Sequence, residues 1–328
     1  MQDWLRCGDP AVLVTVAIAE GSVPREAGAH MVVSDNASFD TIGGGHLEWQ
    51  AIAIARAMLR DGRMRHLERF ALGPTLGQCC GGVAHLLFER CDDAYLACLR
   101  ARRDADTFRL AALDGPESAL CDADGRVLIG DAAPRFDPAA ATHVLHDGAG
   151  RRWLLDAIRA PRAHLFLFGA GHVGAAIVRL AGDLPCRVTW VDERDDLFPD
   201  AVPANVRIEA TDTPEAVVAG APSGSSFLVM THSHALDQRL AEAILAHPHA
   251  GWFGLIGSVT KRRQFEHRLR ARGLDAARIA AMACPIGIPG ITGKQPAVVA
   301  LAVVAQLLAV WEAEASAPAT LPVSSERS

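Results

Sequence analysis

The sequence is short of several things, and each shortage removes a class of protein. It has no excess of positive charge: 32 Lys and Arg face 38 Asp and Glu, a net charge of -6. Nothing in that balance would draw the chain to a nucleic-acid backbone. It has no convincing membrane span either, because the apolar segment 297–311 carries Gln306 and reads as a buried helix. The apolar run 11–19 has neither a basic segment before it nor a small-residue cleavage site after it, so no signal peptide is expected. Cysteine is sparse, 8 in 328 residues and scattered, which is not the density of a disulfide scaffold; reduced thiols in the cytoplasm are expected. Internal repeats are missing as well. What is there is 50% apolar and 21% charged, a globular chain long enough for two cores.

Two textures follow one another. From residue 11 to about 89 the order is strand, glycine loop, strand, helix: "AVLVTVAIA", then "EGSVPREAGA", "HMVVS" and "FDTIGGGHLE", then a helix over 46–61 ended by Gly62. "RMRHLERFAL" and "VAHLLFER" read as strands, 92–103 as a helix and 107–130 as a hairpin with turns at "DGPE" and "DADG". This first half has an α+β character. Gly and Pro in 147–162 read as a linker. Beyond it, "AHLFLFG", "CRVTWVD", "NVRIEA", "SSFLVM" and "WFGLIG" alternate with helical stretches, and "RIAAMAC" is a candidate sixth strand. Repeated βα units of this kind build a doubly wound parallel sheet. The expected fold class is therefore α/β. An α+β module over 1–146 precedes a Rossmann-type domain over 163–312, and 313–328 is read as a disordered tail.

Gly169, Gly171 and Gly174 form G-x-G-x-x-G between the first strand of this second half and a helix. Glycines there permit a tight turn and let a phosphate approach the positive helix end. Asp192 closes the next strand, where an acid meets a ribose. NAD(P) binding follows as one reading, although nothing downstream offers an obvious proton-transfer residue for an oxidoreductase, and Arg194 leaves the phosphate preference open. His172 lies inside the glycine loop. His232 and His234, followed by Asp237, stand at the end of the fourth strand as ligand contacts, as the start of a helix, or as a fragment of a metal pattern. Ser258, Lys261 and Arg262 open another helix. Basic residues oppose the dipole there, so they form either an anion site or a solvated face. Lys294 lies in a Gly/Pro-rich loop that reads as lining a site.

The stretch "GPTLGQCCGG" places Cys79 and Cys80 among glycines. They read as small buried apolar groups, as a zinc pair, as a vicinal disulfide, or as reactive thiols. Zinc lacks ligands, with only His85 near, and a disulfide between neighbours is strained and out of place in a reducing compartment.

Read together, "VLVTVAIAEGSVPREAGAHMVV", "TIGGGHLEWQAIAIARAML" and "LGPTLGQCCGGVAHLLFE" resemble the N-terminal module of the XdhC/CoxI family. "LFGAGHVGAAIVRLA", "VMTHSHALDQRLAEAIL", "WFGLIGSVTKRRQF" and "CPIGIPGITGKQPAVVALAVVAQLL" are similar to that family's Rossmann module. The resemblance implies an accessory protein of xanthine dehydrogenase rather than an enzyme. Such a protein binds the molybdenum cofactor in its molybdopterin form and holds it while molybdenum receives a sulfide from a cysteine desulfurase. It then delivers the cofactor to the apo-hydroxylase. The alternative class is an NAD(P)-dependent oxidoreductase or a nucleotide-binding redox sensor. Under the family reading Cys79 or Cys80 is a soft donor toward molybdenum or its labile sulfur. Gln78, Gly81, Arg25, Gly44 and His46 join the same pocket, whereas Glu48 reads as an ordinary first-turn acid. A homodimer is expected only because symmetric oligomers are common.

Overall fold

β1 (Ala11–Glu20) sends Val12, Val14 and Val16 to one face and Leu13, Thr15 and Ala17 to the other, all of them buried. Such a strand needs cover on both sides. The computed structural model describes residues 10–73 and 81–316 and divides after Ala160 into two units. In the first, β1 is the centre of an antiparallel sheet with β2 (His30–Val33), β3 (Ser38–Asp40), β4 (Arg65–Ala71) and β5 (Val83–Cys91), in the order β3-β2-β1-β5-β4. Helix α1 (Gly45–Asp61) covers the valine face, setting Leu47, Ala51, Ala55 and Met58 against Val12, Val14, Met31 and Phe88. Gly62, in the left-handed conformation that only glycine adopts cheaply, ends it.

The opposite face of β1 meets a second antiparallel sheet, with Ala17 and Leu87 against Ala111 and Leu154. Helix α2 (Asp93–Ala101), capped by Asp92, leads into it. Its strands are β6 (Thr107–Ala112), β7 (Ser118–Cys121), β8 (Val127–Gly130), β9 (His143–His146) and β10 (Arg152–Ile158), in the order β8-β7-β6-β10-β9. The expected hairpin over 107–130 is thus three strands of a larger sheet. Within the linker expected over 147–162, Arg152–Ile158 is strand: β10 pairs with β6 along its length and with β9 on its other side. Gly148 and Gly150 serve only the β9–β10 turn, where the Gly150 N–H donates to Asp147 O at 2.9 Å.

The second unit holds a five-stranded parallel sheet of β11 (Ala163–Phe168), β12 (Cys186–Asp192), β13 (Val206–Ala210), β14 (Ser226–Val229) and β15 (Phe253–Leu255). Their order is β13-β12-β11-β14-β15. One face carries Leu165, Leu167, Val188, Trp190 and Leu228 against α3 (His172–Ala181) and α8 (Pro296–Ser316). The other carries Phe166, Phe168, Phe227 and Val229 against α4 (Pro214–Ala219), α5 (His234–Ala246) and α6 (Val259–Ala271). Neighbours β11 and β14 therefore send their chains to opposite faces, which opens a crevice at their carboxyl ends.

The candidate sixth strand is a helix instead. Asp275 Oδ1 accepts the Arg278 N–H at 2.8 Å and caps α7 (Ala276–Ala281), an alanine-rich turn. Only Ala283 bridges to Gly254 at the sheet edge. Helix α8 runs to Ser316, past the start of the expected tail; residues 317–328 lie outside the described part. By length and composition α8 is apolar enough to cross a membrane. Here it lies on α3 and the sheet, with Gln306 Oε1 accepting the Gly287 N–H at 2.8 Å and Trp311 Nε1 donating to Ser226 Oγ at 3.0 Å.

Candidate functional site

In the first unit the residues that follow β1 (21–29), β3 (41–44) and β4 (72–73), and Gly81 and Gly82 ahead of β5, all lie at the same end of the sheet. Gly43, at φ +118°, fits against Pro24, where a β-carbon would lie 2.3 Å from the proline Cβ. The Gly82 N–H donates to Ser22 O at 3.0 Å, and the Leu72 N–H donates to Gly82 O at 2.9 Å. Glu48 is more than a first-turn acid. Its Oε2 accepts from Thr41 Oγ1 at 2.5 Å and from the Ile42 and Gly44 N–H groups, each at 3.1 Å, and so fixes the glycine turn ahead of α1.

This end brings together Arg25, Gly44, His46 and Gly81 of the expected pocket. Arg25 donates to Thr41 O at 3.4 Å and to Glu26 at 3.3 Å. His46 is exposed, 2.9 Å from Gln50 and stacked on Trp49, itself 65% exposed. A β-carbon on Gly44 or Gly81 would meet nothing, so the surface over both is open. Gln78, Cys79 and Cys80 lie outside the described residues.

In the second unit the glycine loop has the local form the motif requires. Gly169 turns at φ +123°, Gly171 precedes α3, and Gly174 packs against the Gly169 carbonyl. A β-carbon on Gly171 would face open space, and His172 is exposed beside it. Asp192 does not stand ready for a ribose. Its Oδ2 accepts the Ala170 N–H at 2.7 Å and Arg194 Nη2 at 3.0 Å; its Oδ1 accepts the Arg194 N–H at 3.1 Å and Nε at 2.9 Å. Burial raises its pKa, but these donors outweigh it and hold the carboxyl below its usual value.

Beside Asp192 a narrow crevice, open to solvent and with room for little more than a water molecule, runs between Phe168, Gly169, Val191 and Asp192 on one side and Thr231, Leu236 and Leu240 on the other. His232 and Glu193 form its lip, with His232 Nε2 3.6 Å from Glu193 Oε1. His234 is exposed on the first turn of α5, which Ser233 caps by accepting the Leu236 N–H at 3.3 Å. Asp237 is no metal ligand in waiting. It is buried, accepts from Thr231 Oγ1 at 2.7 Å, and pairs with Lys261 Nζ at 2.5 Å.

That pairing removes Lys261 from the expected anion site, and its Nζ also donates to Ile256 O at 2.8 Å. Arg262 is engaged too, with Glu266 at 2.7 Å and the Cys284 and Ala280 carbonyls at 3.1 Å each. Ser258 caps α6 by accepting the Lys261 N–H at 3.2 Å. Lys294 is exposed. Sequence reasoning missed Glu193, because Asp192 beside it already filled the place of the strand-end acid. It also missed the inter-sheet cluster of Arg109, Glu89, Asp156 and Thr15, whose members are far apart in sequence.

Comparison with known proteins agrees with this architecture. A model described as the XdhC and CoxI family matches residues 4–71, and one described as the XdhC Rossmann domain matches 165–307. A solved structure titled a xanthine dehydrogenase from Bacillus halodurans is 19% identical, covers 96% of both chains and superposes with a TM-score of 0.72, which shows a shared fold. An uncharacterized Escherichia coli protein, YqeB, is 27% identical over 50% of this chain, a match spanning 30% of YqeB. With both of its parts matched in order, the chain belongs to the XdhC and CoxI family.

Proposed function

We propose that this protein is a cytoplasmic accessory factor that binds the molybdenum cofactor in its molybdopterin form. It holds the cofactor while molybdenum acquires a sulfide from a cysteine desulfurase, then passes it to an apo xanthine dehydrogenase or related molybdenum hydroxylase. Family membership supports the accessory role. The observation that carries the rest is a pair of glycine cradles. Gly44 and Gly171 face open space while Gly43, Gly82, Gly169 and Gly174 beside them are pinned by their neighbours. Glycines in the first group leave room for a ligand; those in the second keep the backbone in place for it.

In this reading the start of α3, with Gly171 and His172, takes the phosphate of the pterin. In the first unit, taken by itself, Arg25 and His46 are the polar contacts offered to the cofactor, and Cys79 or Cys80 is the soft donor toward molybdenum. The bound group supplies the metal and its exchangeable ligand; the chain supplies orientation and shelter from water. The NAD(P)-dependent alternative loses support from Asp192, whose oxygens are already filled by Arg194 and Ala170.

Co-expression tests the proposal. A molybdenum hydroxylase produced with this chain should show a raised sulfurated, active fraction, and deletion of the chain should lower it. A hydroxylase that is fully sulfurated without the chain would reject the role.

A further inference from the structure

Two carboxylates line the crevice of the parallel sheet, and they are in opposite states. Asp192 accepts four hydrogen bonds. Glu193 accepts none among the described residues; its nearest basic group is His232 at 3.6 Å, beyond hydrogen-bond reach. Their side chains are 44% and 50% exposed, so both can swing aside to admit a ligand. Behind them the walls are Phe168, Val191, Leu236 and Leu240. With Glu193 and His232 swung aside, a narrow apolar slot with one unfilled carboxylate at its lip would take the edge of a flat ring that offers donors along that edge. It does not suit a phosphate, because Asp195 and Asp196 follow Glu193 and the neighbouring Arg194 is already paired with Asp192.

The geometry points to a seat for the 2-amino-4-oxopyrimidine edge of a pterin in this crevice, with Glu193 as its acceptor, an inference that rests on the cofactor reading above. That edge carries a ring N–H and a 2-amino group side by side, two parallel donors that match the two oxygens of a carboxylate. His232 opposite is placed for the ring oxygen. The edge of adenine sets a ring acceptor beside its amino group, so one of its lone pairs would confront Glu193, and a site built for two donors rejects it. The phosphate of such a ligand then lies away from the acidic lip, toward Gly171 and His172. Guanine shares the same edge, so the probes must separate the two.

The full-length chain is titrated with biopterin, guanosine, adenosine and lumazine, the last having an oxo group in place of the 2-amino group, with ligand or tryptophan fluorescence as readout. Biopterin should bind most tightly, and Glu193→Gln should weaken it by about 10- to 100-fold. Unfolding curves for the variant should overlay wild type, since Glu193 lies at the surface. Equal biopterin affinity in Glu193→Gln overturns the inference, as does adenosine or lumazine binding as well as biopterin. Guanosine binding more tightly than biopterin also overturns it. Molybdenum content of the chain isolated from cells reads the wider proposal separately. Full molybdenum in Glu193→Gln refutes the seat and leaves the cofactor role standing. A molybdenum-free wild type refutes that role, while the titration still decides the seat.

Discussion

A β-carbon on Gly174 would sit 2.2 Å from the Gly169 carbonyl oxygen, one on Gly169 would sit 2.4 Å from that of Met230, and one on Gly171 would touch nothing. The three glycines therefore answer to different demands, and substitution separates them. Gly174→Ala should lose about 1–3 kcal/mol through overpacking against backbone that cannot yield. Gly171→Ala, at φ -75°, should leave stability within about 0.5 kcal/mol of wild type, yet its methyl fills the ligand-facing space. Urea unfolding with pterin analysis checks both; retained pterin in Gly171→Ala would remove the loop from the site. This motif was legible in the sequence because each glycine's reason is local. The state of Asp192 was not, since it depends on how the Ala170 N–H in the glycine loop and the Arg194 side chain fold back onto it. Glu193 was passed over because Asp192, one residue earlier, met the expectation for an acid at the strand end.

At the scale of elements, the two antiparallel sheets are joined by charge as well as by packing. Arg109 on β6 reaches Asp156 at 3.0 Å, Thr15 Oγ1 at 2.6 Å and Glu89; Arg65 holds Glu89 at 2.6 Å and His30 holds Asp156 at 2.8 Å. Burial would raise the Asp156 pKa, but His30 and Arg109 reverse this and hold it at about 2. A depressed carboxyl stabilises the fold above its unfolded value, about 3.9, and that contribution drains away as pH falls toward 2. Asp156→Asn should cost about 3–5 kcal/mol at neutral pH and flatten the stability profile between about pH 4 and 2. An unchanged profile would show that the cluster does not govern acid stability. Lys261→Met should likewise cost about 3–5 kcal/mol, because buried Asp237 loses its partner and α5 its tie to α6. If the variant keeps full stability and loses cofactor instead, Lys261 belongs to the site after all.

The same elements explain what the sequence hid. Apolar alternation revealed β1, α1 and the five parallel strands, since burial on both faces leaves long Val, Leu and Phe runs. β10 escaped because a buried Asp156 and flanking Gly and Pro imitate a linker. α7 escaped because a short run of alanines and isoleucine suits a strand or a helix equally, and only the Asp275 cap decides.

For the whole molecule, the sequence carried the two-part order and the family resemblance, because long motifs in fixed succession survive where single contacts do not. Which side chains touch a ligand depends on tertiary partners such as Arg194 and Asp237, and those partners took Asp192, Lys261 and Arg262 out of the open set. The central claim is that the assembled chain carries a molybdenum-loaded pterin. Its most direct test is anaerobic purification from cells producing an active molybdenum hydroxylase, followed by molybdenum and pterin analysis of wild type, Cys79→Ala and Cys80→Ala. The account predicts equimolar molybdenum and pterin on wild type, with less sulfurated cofactor on at least one cysteine variant. Wild-type protein free of both metal and pterin would contradict it.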